Sequence, residues 1–413
     1  MANILSKMFG SKFPSTEKYE NENKQLKDDF ARFNKLEKSN SITRYLELDT
    51  MVHSGEFKQK VIKLRKERFK DTEAYHQYKK FSEYRRSSNI KRYNKYLRKG
   101  KNEEAEELRT TIEIQTYLGL KNYIESADFA AVKREMSDRQ RFKKSQEFLM
   151  LEEYKALSKS DDVTWFLKIK KENPFTDIDK WTLTFEDDFN GTKLDASKWL
   201  TGYYWGKALM NDNYVQANEK QFFKDQNIEL RDSCAKIVSK NEACAGKIWD
   251  TKLGFVPKKF EFTSGIINTG HSFRQQYGRF EAKIKYSHIA PAQHIFWLLS
   301  EHITPQVNIL CTPEKGKNKI EAGNFWGHNG NISKSVHNLK VPGSPKDFFI
   351  YTLEWSKNKM EWKINGVTVH TITQNIPQQP MYILLSTHFT DTPKNQNLPI
   401  SMDIDWVRCY QLN

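Results

Sequence analysis

The sequence predicts a chain of two unlike parts, an all-α helical repeat array over residues 1–175 followed by an all-β sandwich over residues 176–413. Three observations predict it. In the first part, aromatic and aliphatic residues recur at three- and four-residue spacings while Gly and Pro are nearly absent, the pattern of amphipathic helices. At Asn173-Pro174-Phe175 that pattern stops, because a residue before proline is pushed out of the helical region. Beyond Pro174, short β-branched and aromatic stretches alternate with Gly, Asn, Asp and Pro, which is how many short strands read.

The helical part contains a repeat. Phe69 to Tyr93 aligns without a gap on Phe142 to Phe166, matching Phe69 with Phe142, Tyr75 with Phe148, Phe81 with Tyr154, Ser87 with Ser160, Ile90 with Val163 and Tyr93 with Phe166. A partial copy through Phe30, Phe33, Leu36, Ser39, Ile42 and Tyr45 ends earlier. Tyr45, Leu48, Val52, Ser54 and Phe57 are answered by Tyr117, Leu120, Ile124, Ser126 and Phe129. Ser-Ser-Asn before Ile90 and Ser-Asp-Asp before Val163 read as N-caps, whose side-chain oxygens accept from unpaired backbone N–H groups. Paired helices joined by short capped turns follow, with stacked units sharing an apolar seam.

Charge is uneven along the chain. The formal net charge is +15, and residues 57–100 alone hold sixteen basic residues against four acidic ones. Such a segment suits phosphate backbones or an acidic partner, and otherwise forms a solvated basic face. Aromatics at helical spacing are read as core. No zinc-finger spacing, RNA-binding signature or Walker loop accompanies the charge, so the array is expected to be a spacer or docking element for a protein partner or for self-association, with nucleic acid a lesser alternative. The start, MANILSKMFGSKFPSTEKYE, lacks a secretory apolar run, and no later stretch approaches a membrane span; a cytoplasmic or particle-associated chain is expected. Cys234, Cys244, Cys311 and Cys409 have no metal-type spacing, and a Cys234–Cys244 disulfide is open only to an oxidising compartment. No metal or cofactor is expected.

Strands are expected at Trp181 to Phe185, Asn227 to Leu230, Lys236 to Ser239, Gly265 to Thr269, Gly278 to Tyr286, Phe348 to Trp355, Met360 to Ile364, Met381 to Ser386 and Ile400 to Tyr410. Asn365-Gly366 marks a hairpin turn. Ile295 to Leu299 is an apolar-aromatic strand, and Gln306 to Cys311 is a second whose start alternates polar and apolar residues. Period two puts Gln306 and Asn308 on one face and Val307 and Ile309 on the other.

The ordered blocks FEDDFNGTKLDASKW (Phe185 to Trp199), FTSGIINT (Phe262 to Thr269), YGRFEAKIK (Tyr277 to Lys285), IFWLL (Ile295 to Leu299), DFFIYTLEW (Asp347 to Trp355), MEWKINGV (Met360 to Val367) and DIDWVRCYQ (Asp403 to Gln411) resemble glycoside hydrolase family 16. That is the laminarinase-like group of β-glucanases and galactanases, and the resemblance, covering roughly residues 180–413, implies a concanavalin-like jelly roll.

The family's signature after the FWLL strand is Glu-x-Asp-x-x-Glu. Carried onto this chain, it places nucleophile, assisting Asp and acid/base at Gln306, Asn308 and Cys311. A retaining glycosidase needs one ionised carboxylate to attack the anomeric carbon and one protonated carboxyl to release the leaving group, about 5 Å apart. Amides do not ionise, and a thiol in the third position forms no glycosyl ester. With a β-bulge the third position is Cys311; under strict alternation it is Leu310, and neither register recovers a carboxylate. Glu301 and Glu314 are read as solvated loop charges. The family's Trp-Pro-Ala before Phe-Trp is replaced by Gln293-His294-Ile295.

The sequence therefore predicts a catalytically inactive relative with a glycan-binding or structural role. The alternative is an active endo-acting hydrolase with an unusual site around Cys311 or Glu314. Sugar binding needs aromatic faces and a few polar groups rather than carboxylates. Tyr204, Trp205, Trp297, Trp326 and His388 are the candidates for an oligo- or polysaccharide, although Trp297, like Trp355, Trp362 and Trp406, lies in a strand block and reads first as packing. His337 and His388 lack a second metal ligand at useful spacing.

Overall fold

The computed structural model describes residues 13–413 except 179, 288, 303, 315–318, 329–330, 342–346 and 395–396. The chain packs into two compact units, one of residues 29–173 and one joining 13–28 to 174–413. Residues 13–28, which the sequence groups with the helices, thus pack with the strands.

The helical unit is built from the C-terminal half of α1 (Thr16–Glu37) and from α2 (Asn40–His53), α3 (Gly55–Lys66), α4 (Glu73–Tyr84), α5 (Ser88–Arg98), α6 (Asn102–Arg109), α7 (Ile112–Ile124), α8 (Ala127–Ser137), α9 (Gln146–Ser158) and α10 (Asp161–Glu172). Four pairs of equivalent hydroxyls open these helices: Ser39 and Thr111, Ser54 and Ser126, Thr72 and Ser145, Ser87 and Ser160. Each accepts from the backbone N–H three residues on, which satisfies one orphan donor of the first turn. A single 3₁₀ turn precedes α4 at Phe69–Asp71 and α9 at Phe142–Lys144, so the repeat reaches into the irregular connections. The helix α10 ends on Asn173 in the left-handed conformation.

The repeat copies interlock instead of stacking in a row. One apolar cluster joins Leu36, Ile42 and Tyr45 of the first copy to Val163 and Phe166 of the second. The other joins Ile90 and Tyr93 of the first to Ala105, Ile114 and Tyr117 of the second. Four of the five buried members of each cluster are equivalent: Ile42 answers Ile114, Tyr45 answers Tyr117, Ile90 answers Val163 and Tyr93 answers Phe166. The stacked ring pairs match too, Tyr45 on Tyr154 at 5.5 Å and Phe81 on Tyr117 at 5.4 Å. The aromatics of these clusters are core, as their spacing predicts.

The β-unit is a two-sheet jelly-roll sandwich. Its strands are β1 (Trp181–Asp187), β2 (Leu200–Thr201), β3 (Val215–Gln216), β4 (Gln221–Phe223), β5 (Ile228–Arg231), β6 (Cys234–Asp250), β7 (Gly254–Ser264), β8 (Ile266–Asn268), β9 (Gly278–Tyr286), β10 (Ala292–Leu299), β11 (Gln306–Cys311), β12 (Lys319–His328), β13 (Asn331–Lys340), β14 (Phe349–Trp355), β15 (Met360–Ile364), β16 (Val367–Ile372), β17 (Tyr382–Phe389) and β18 (Ile400–Leu412). One sheet runs β16-β15-β14-β9-β18-β6-β7-β4 with β1, β3 and β5 attached at its side, and the other runs β13-β12-β11-β10-β17-β8-β2. Alternate residues such as Phe280, Ala282 and Ile284 of β9, Phe296 and Leu298 of β10 and Ile383 and Leu385 of β17 fill the space between the sheets.

Two stretches depart from expectation. The strand expected at Lys236 to Ser239 continues to Asp250 and folds back through β7 as a long hairpin, whose polar composition hid it. The loop-like TGYYWG sequence instead opens a short helix, α11 (Tyr204–Met210), capped by left-handed Asn211. The Asn365-Gly366 turn has both residues at positive φ, as a type I′ hairpin requires. Against this turn lie residues 13–20: Phe13 joins the sandwich core, Asn365 Nδ2 donates to the Pro14 carbonyl at 2.9 Å, and Glu20 pairs with Lys283 at 3.0 Å. All four cysteines are free. Among the described residues, no helix is long and apolar enough to cross a membrane.

Candidate functional site

The site is built on β11, which lies between β12 and β10 in its sheet. Against β10 its register runs Leu299 with Gln306, Leu298 with Val307, Trp297 with Asn308, then Phe296 with Leu310 and Ile295 with Cys311. Ile309 is the extra residue of a β-bulge. Val307, Ile309 and Leu310 all enter the sandwich core, and the bulge returns Cys311 to the outer face beside Gln306 and Asn308. The bulged register is therefore the one the structure adopts. Trp362 of β15 reaches through the core and donates Nε1–H to the Asn308 carbonyl at 2.9 Å, fixing the backbone next to the bulge.

On that face Gln306 Nε2 donates to Asn308 Oδ1 at 2.8 Å, so the two amides are partners. Asn308 and Cys311 are buried and Gln306 is half-buried. Burial, reinforced by the carboxylates of Glu321 and Glu314, pushes the Cys311 thiol up to about 12, and it is a neutral thiol at physiological pH. Strand β12 brings Phe325 opposite Gln306, Gly323 opposite Asn308 and Glu321 opposite Cys311. Residues directly opposite on antiparallel strands share a face, so Phe325 and Glu321, both half-buried, belong to this site. Neither was expected from the sequence, although each stands two positions from Gly323, where period two puts them on one face.

Farther along the same face, the surface over β10, β17 and β8 is filled. Tyr203, Tyr214, Val215, Phe223, Phe260, Ile266, Trp297, Leu299, Tyr382 and Leu384 form a second apolar cluster, contributed by α11, by the segment leading to β4 and by the β6–β7 hairpin. A polar network ties it down. The buried Glu219 accepts from the Gln216 backbone N–H at 2.6 Å and from the Tyr203 hydroxyl at 3.0 Å, and His388 Nδ1 lies against the same carboxylate. The other ring nitrogen of His388 meets Ser386 Oγ at 2.7 Å, and Trp297 Nε1–H donates to that oxygen at 3.1 Å. Nothing in the local pattern around Glu219 marks it, because its side-chain partners, Tyr203 and His388, come from the start of α11 and from β17.

Of the five sugar-binding candidates, Trp297 and His388 are thus buried and engaged internally. Tyr204 and Trp205 are half-buried against the second cluster, and the guanidinium of Arg274 lies over both the Tyr204 and Tyr382 rings, 5.0 and 5.1 Å from their centres. Trp326 stands next to Phe325 in β12 and so points to the opposite face from Gln306. Glu301 is paired with Arg274, whereas Glu314 is exposed. His337 stacks on His370 at 4.9 Å with ring planes 4° apart; their in-plane lone pairs run parallel and do not converge on a metal.

Residues 209–408 match the family described as Glycosyl hydrolases family 16. Glucan endo-1,3-beta-glucosidase A1 of Niallia circulans is 24% identical over 271 residues, which is 55% of this chain and 38% of the relative. Endo-1,3-1,4-beta-glycanase EglC of Rhizobium meliloti is 23% identical over 253 residues, 56% of this chain and 52% of the relative. The chain therefore spans between about a third and a half of the length of these curated relatives. Among solved structures, the laminarinase catalytic domain of Thermotoga maritima has a TM-score of 0.45 at 18% identity, covering 56% of this chain and 98% of that one. The kappa-carrageenase of Pseudoalteromonas carrageenovora has a TM-score of 0.48 at 21% identity, covering 58% and 98%.

Proposed function

We propose that the C-terminal domain, whose residues 209–408 match glycosyl hydrolases family 16, is a catalytically inactive member of it whose outer β-face serves glycan binding or another interaction, joined to the helical array as a docking element. The observation that carries this reading is the Gln306–Asn308 amide pair with the buried Cys311 thiol beside it. A retaining mechanism needs two carboxyls in different protonation states. At the three positions this chain offers two amides hydrogen-bonded to each other and one protonated thiol. Glu321 supplies a single carboxylate beside Cys311, and one group cannot both attack the anomeric carbon and protonate the leaving oxygen.

Half-buried Phe325 beside Gln306, together with Glu321 and the exposed Lys334 and Asn338 of β13, offers a partly open strip with an aromatic face and polar edges, which is the composition sugar recognition uses. The relatives' β-glucans are the first ligands to try, followed by galactans.

The test is release of reducing ends from laminarin and from agarose-type polymers by the native protein and by the Gln306→Glu, Asn308→Asp, Cys311→Glu variant. A silent native protein supports the reading, and activity gained by the variant strengthens it. Turnover by the native protein overturns it in favour of an active hydrolase. Retardation of the native protein in laminarin-containing gels, lost in Phe325→Ala, reports binding whether or not the triple variant folds.

A further inference from the structure

The two repeat copies share one scaffold and differ in charge. Residues 69–93 carry seven basic and three acidic residues, whereas the aligned residues 142–166 carry four basic and five acidic. The caps, the 3₁₀ turns and the apolar clusters are equivalent, so folding does not require the basic charge. At the second copy's helices, cations are neutralised across the interlock: Arg44 binds Glu153 through two bonds of 2.8 Å, and Arg32 binds Asp162 at 2.9 Å. The first copy has lost these partners. Glu153 becomes Lys80 and Glu152 becomes Lys79, Asp162 becomes Asn89, and the counterpart of Arg44 is the uncharged Thr116.

The consequence is a face of uncompensated cations. Lys79, Lys80, Arg85, Arg86, Lys91, Arg92, Lys95, Arg98 and Lys99 are all exposed, and among the described residues none of them makes an ion pair. The acidic helix α6, which packs on α5, pairs Glu104 with Lys101 and Glu106 with Arg109 of its own segment. Lys91, Lys95 and Arg98 fall at i, i+4 and i+7, a single stripe along α5.

We propose that the exposed side of α4 and α5 binds the phosphate backbone of a nucleic-acid duplex without reading sequence. The charge selects a polyanion, and the aromatics select among polyanions. Single strands are held largely by stacking bases on exposed rings. Here Phe81 is stacked on Tyr117, Tyr93 is buried and Tyr75 packs edge-on to Phe69; Tyr78 is 42% exposed but has Phe129 stacked against it, so a single ring, and no row of rings, accompanies the cations. A duplex, whose phosphates are available with its bases still stacked, fits that surface. This assignment stands on the helical unit alone and is independent of the glycan reading.

The experiment uses the full chain and a fluorescein-labelled duplex of roughly 30 base pairs in a salt series. Affinity is expected to fall steeply as salt rises, with a log–log slope that becomes shallower by about 0.9 for each contacting cation removed, so by up to roughly 3–4 in Lys79→Gln, Lys80→Gln, Lys91→Gln, Lys95→Gln. Lys79→Glu, Lys80→Glu, which installs the residues of the sister copy and so keeps the fold, should weaken binding by at least about tenfold at about 50 mM salt. Lys155→Gln, Lys159→Gln on the sister face should leave it unchanged. Absence of duplex binding at the lowest salt, binding indifferent to Lys79→Glu, Lys80→Glu, stronger binding to single strands, or variant-sensitive binding confined to dextran sulfate or anionic vesicles would each overturn the proposal.

Discussion

Replacing Glu219 by alanine tests whether the outer β-face is closed by design of its polar network. The carboxylate accepts from the Gln216 N–H and the Tyr203 hydroxyl and meets His388 Nδ1, all inside the second apolar cluster. Alanine strands three buried donors. Each unsatisfied buried donor costs about 1–3 kcal/mol, and breaking a buried charged contact costs about 3–5 kcal/mol, so a loss of roughly 3–5 kcal/mol is expected after partial relaxation. Glutamine keeps an acceptor in place and should lose about 1–2 kcal/mol. Urea unfolding followed by tryptophan fluorescence isolates the β-unit, because of the 10 tryptophans only Trp165 lies in the helical unit. If Glu219→Ala remains within about 1 kcal/mol of the native protein, the carboxylate is not what holds the covering segment on β17, and the reasoning fails.

Three further outcomes are expected. Trp362→Phe keeps the ring but removes the donor to the Asn308 carbonyl, and should cost about 1–3 kcal/mol in the same urea assay, with amide exchange rising locally around the bulge. Phe13→Ala removes a side chain from the sandwich core and should cost the β-unit about 3–5 kcal/mol; an unchanged urea midpoint would detach residues 13–28 from that unit. Burial, with help from His337, holds His370 below the ordinary histidine range. The native state thus prefers the neutral ring, and its contribution is complete above about pH 6.5 and is lost as pH falls below that, so unfolding midpoints should drop on acidification and drop less in His370→Gln.

The repeat was legible because it is written in local terms. Capping hydroxyls and apolar spacing depend on neighbours within a turn, and Ser87, Ser160, Ile90 and Val163 all sit where those rules put them. How the copies join was not legible, since the contact of Leu36 with the Val163 region is a matter of tertiary closure. In the β-unit, Gln306, Asn308 and Cys311 could be assigned to one face only with the bulge left open. The structure settles that register through Ile309, a residue whose side chain gives no local sign of being extra. The filling of the outer face was hidden for a different reason. Glu219 lies in the connection between β3 and β4 while Ser386 and His388 lie on β17, and their meeting is created by tertiary packing rather than by any spacing. Trp297 could be read from its strand both as packing and as a sugar platform, and the network around Ser386 shows it engaged in packing.

The interlock also constrains how the protein comes off the ribosome. Each apolar cluster takes one half from either copy, so neither copy carries a complete core of its own. A nascent chain that has emerged only as far as α5 holds Ile42, Tyr45, Ile90 and Tyr93 with their partners still unmade. The cluster of Ile90 and Tyr93 with Ile114 and Tyr117 can close once α7 has been synthesised, and that of Ile42 and Tyr45 with Val163 and Phe166 waits for α10. Co-translational folding of the helical unit should therefore proceed in two late steps, and prematurely terminated chains should be the ones that chaperones retain.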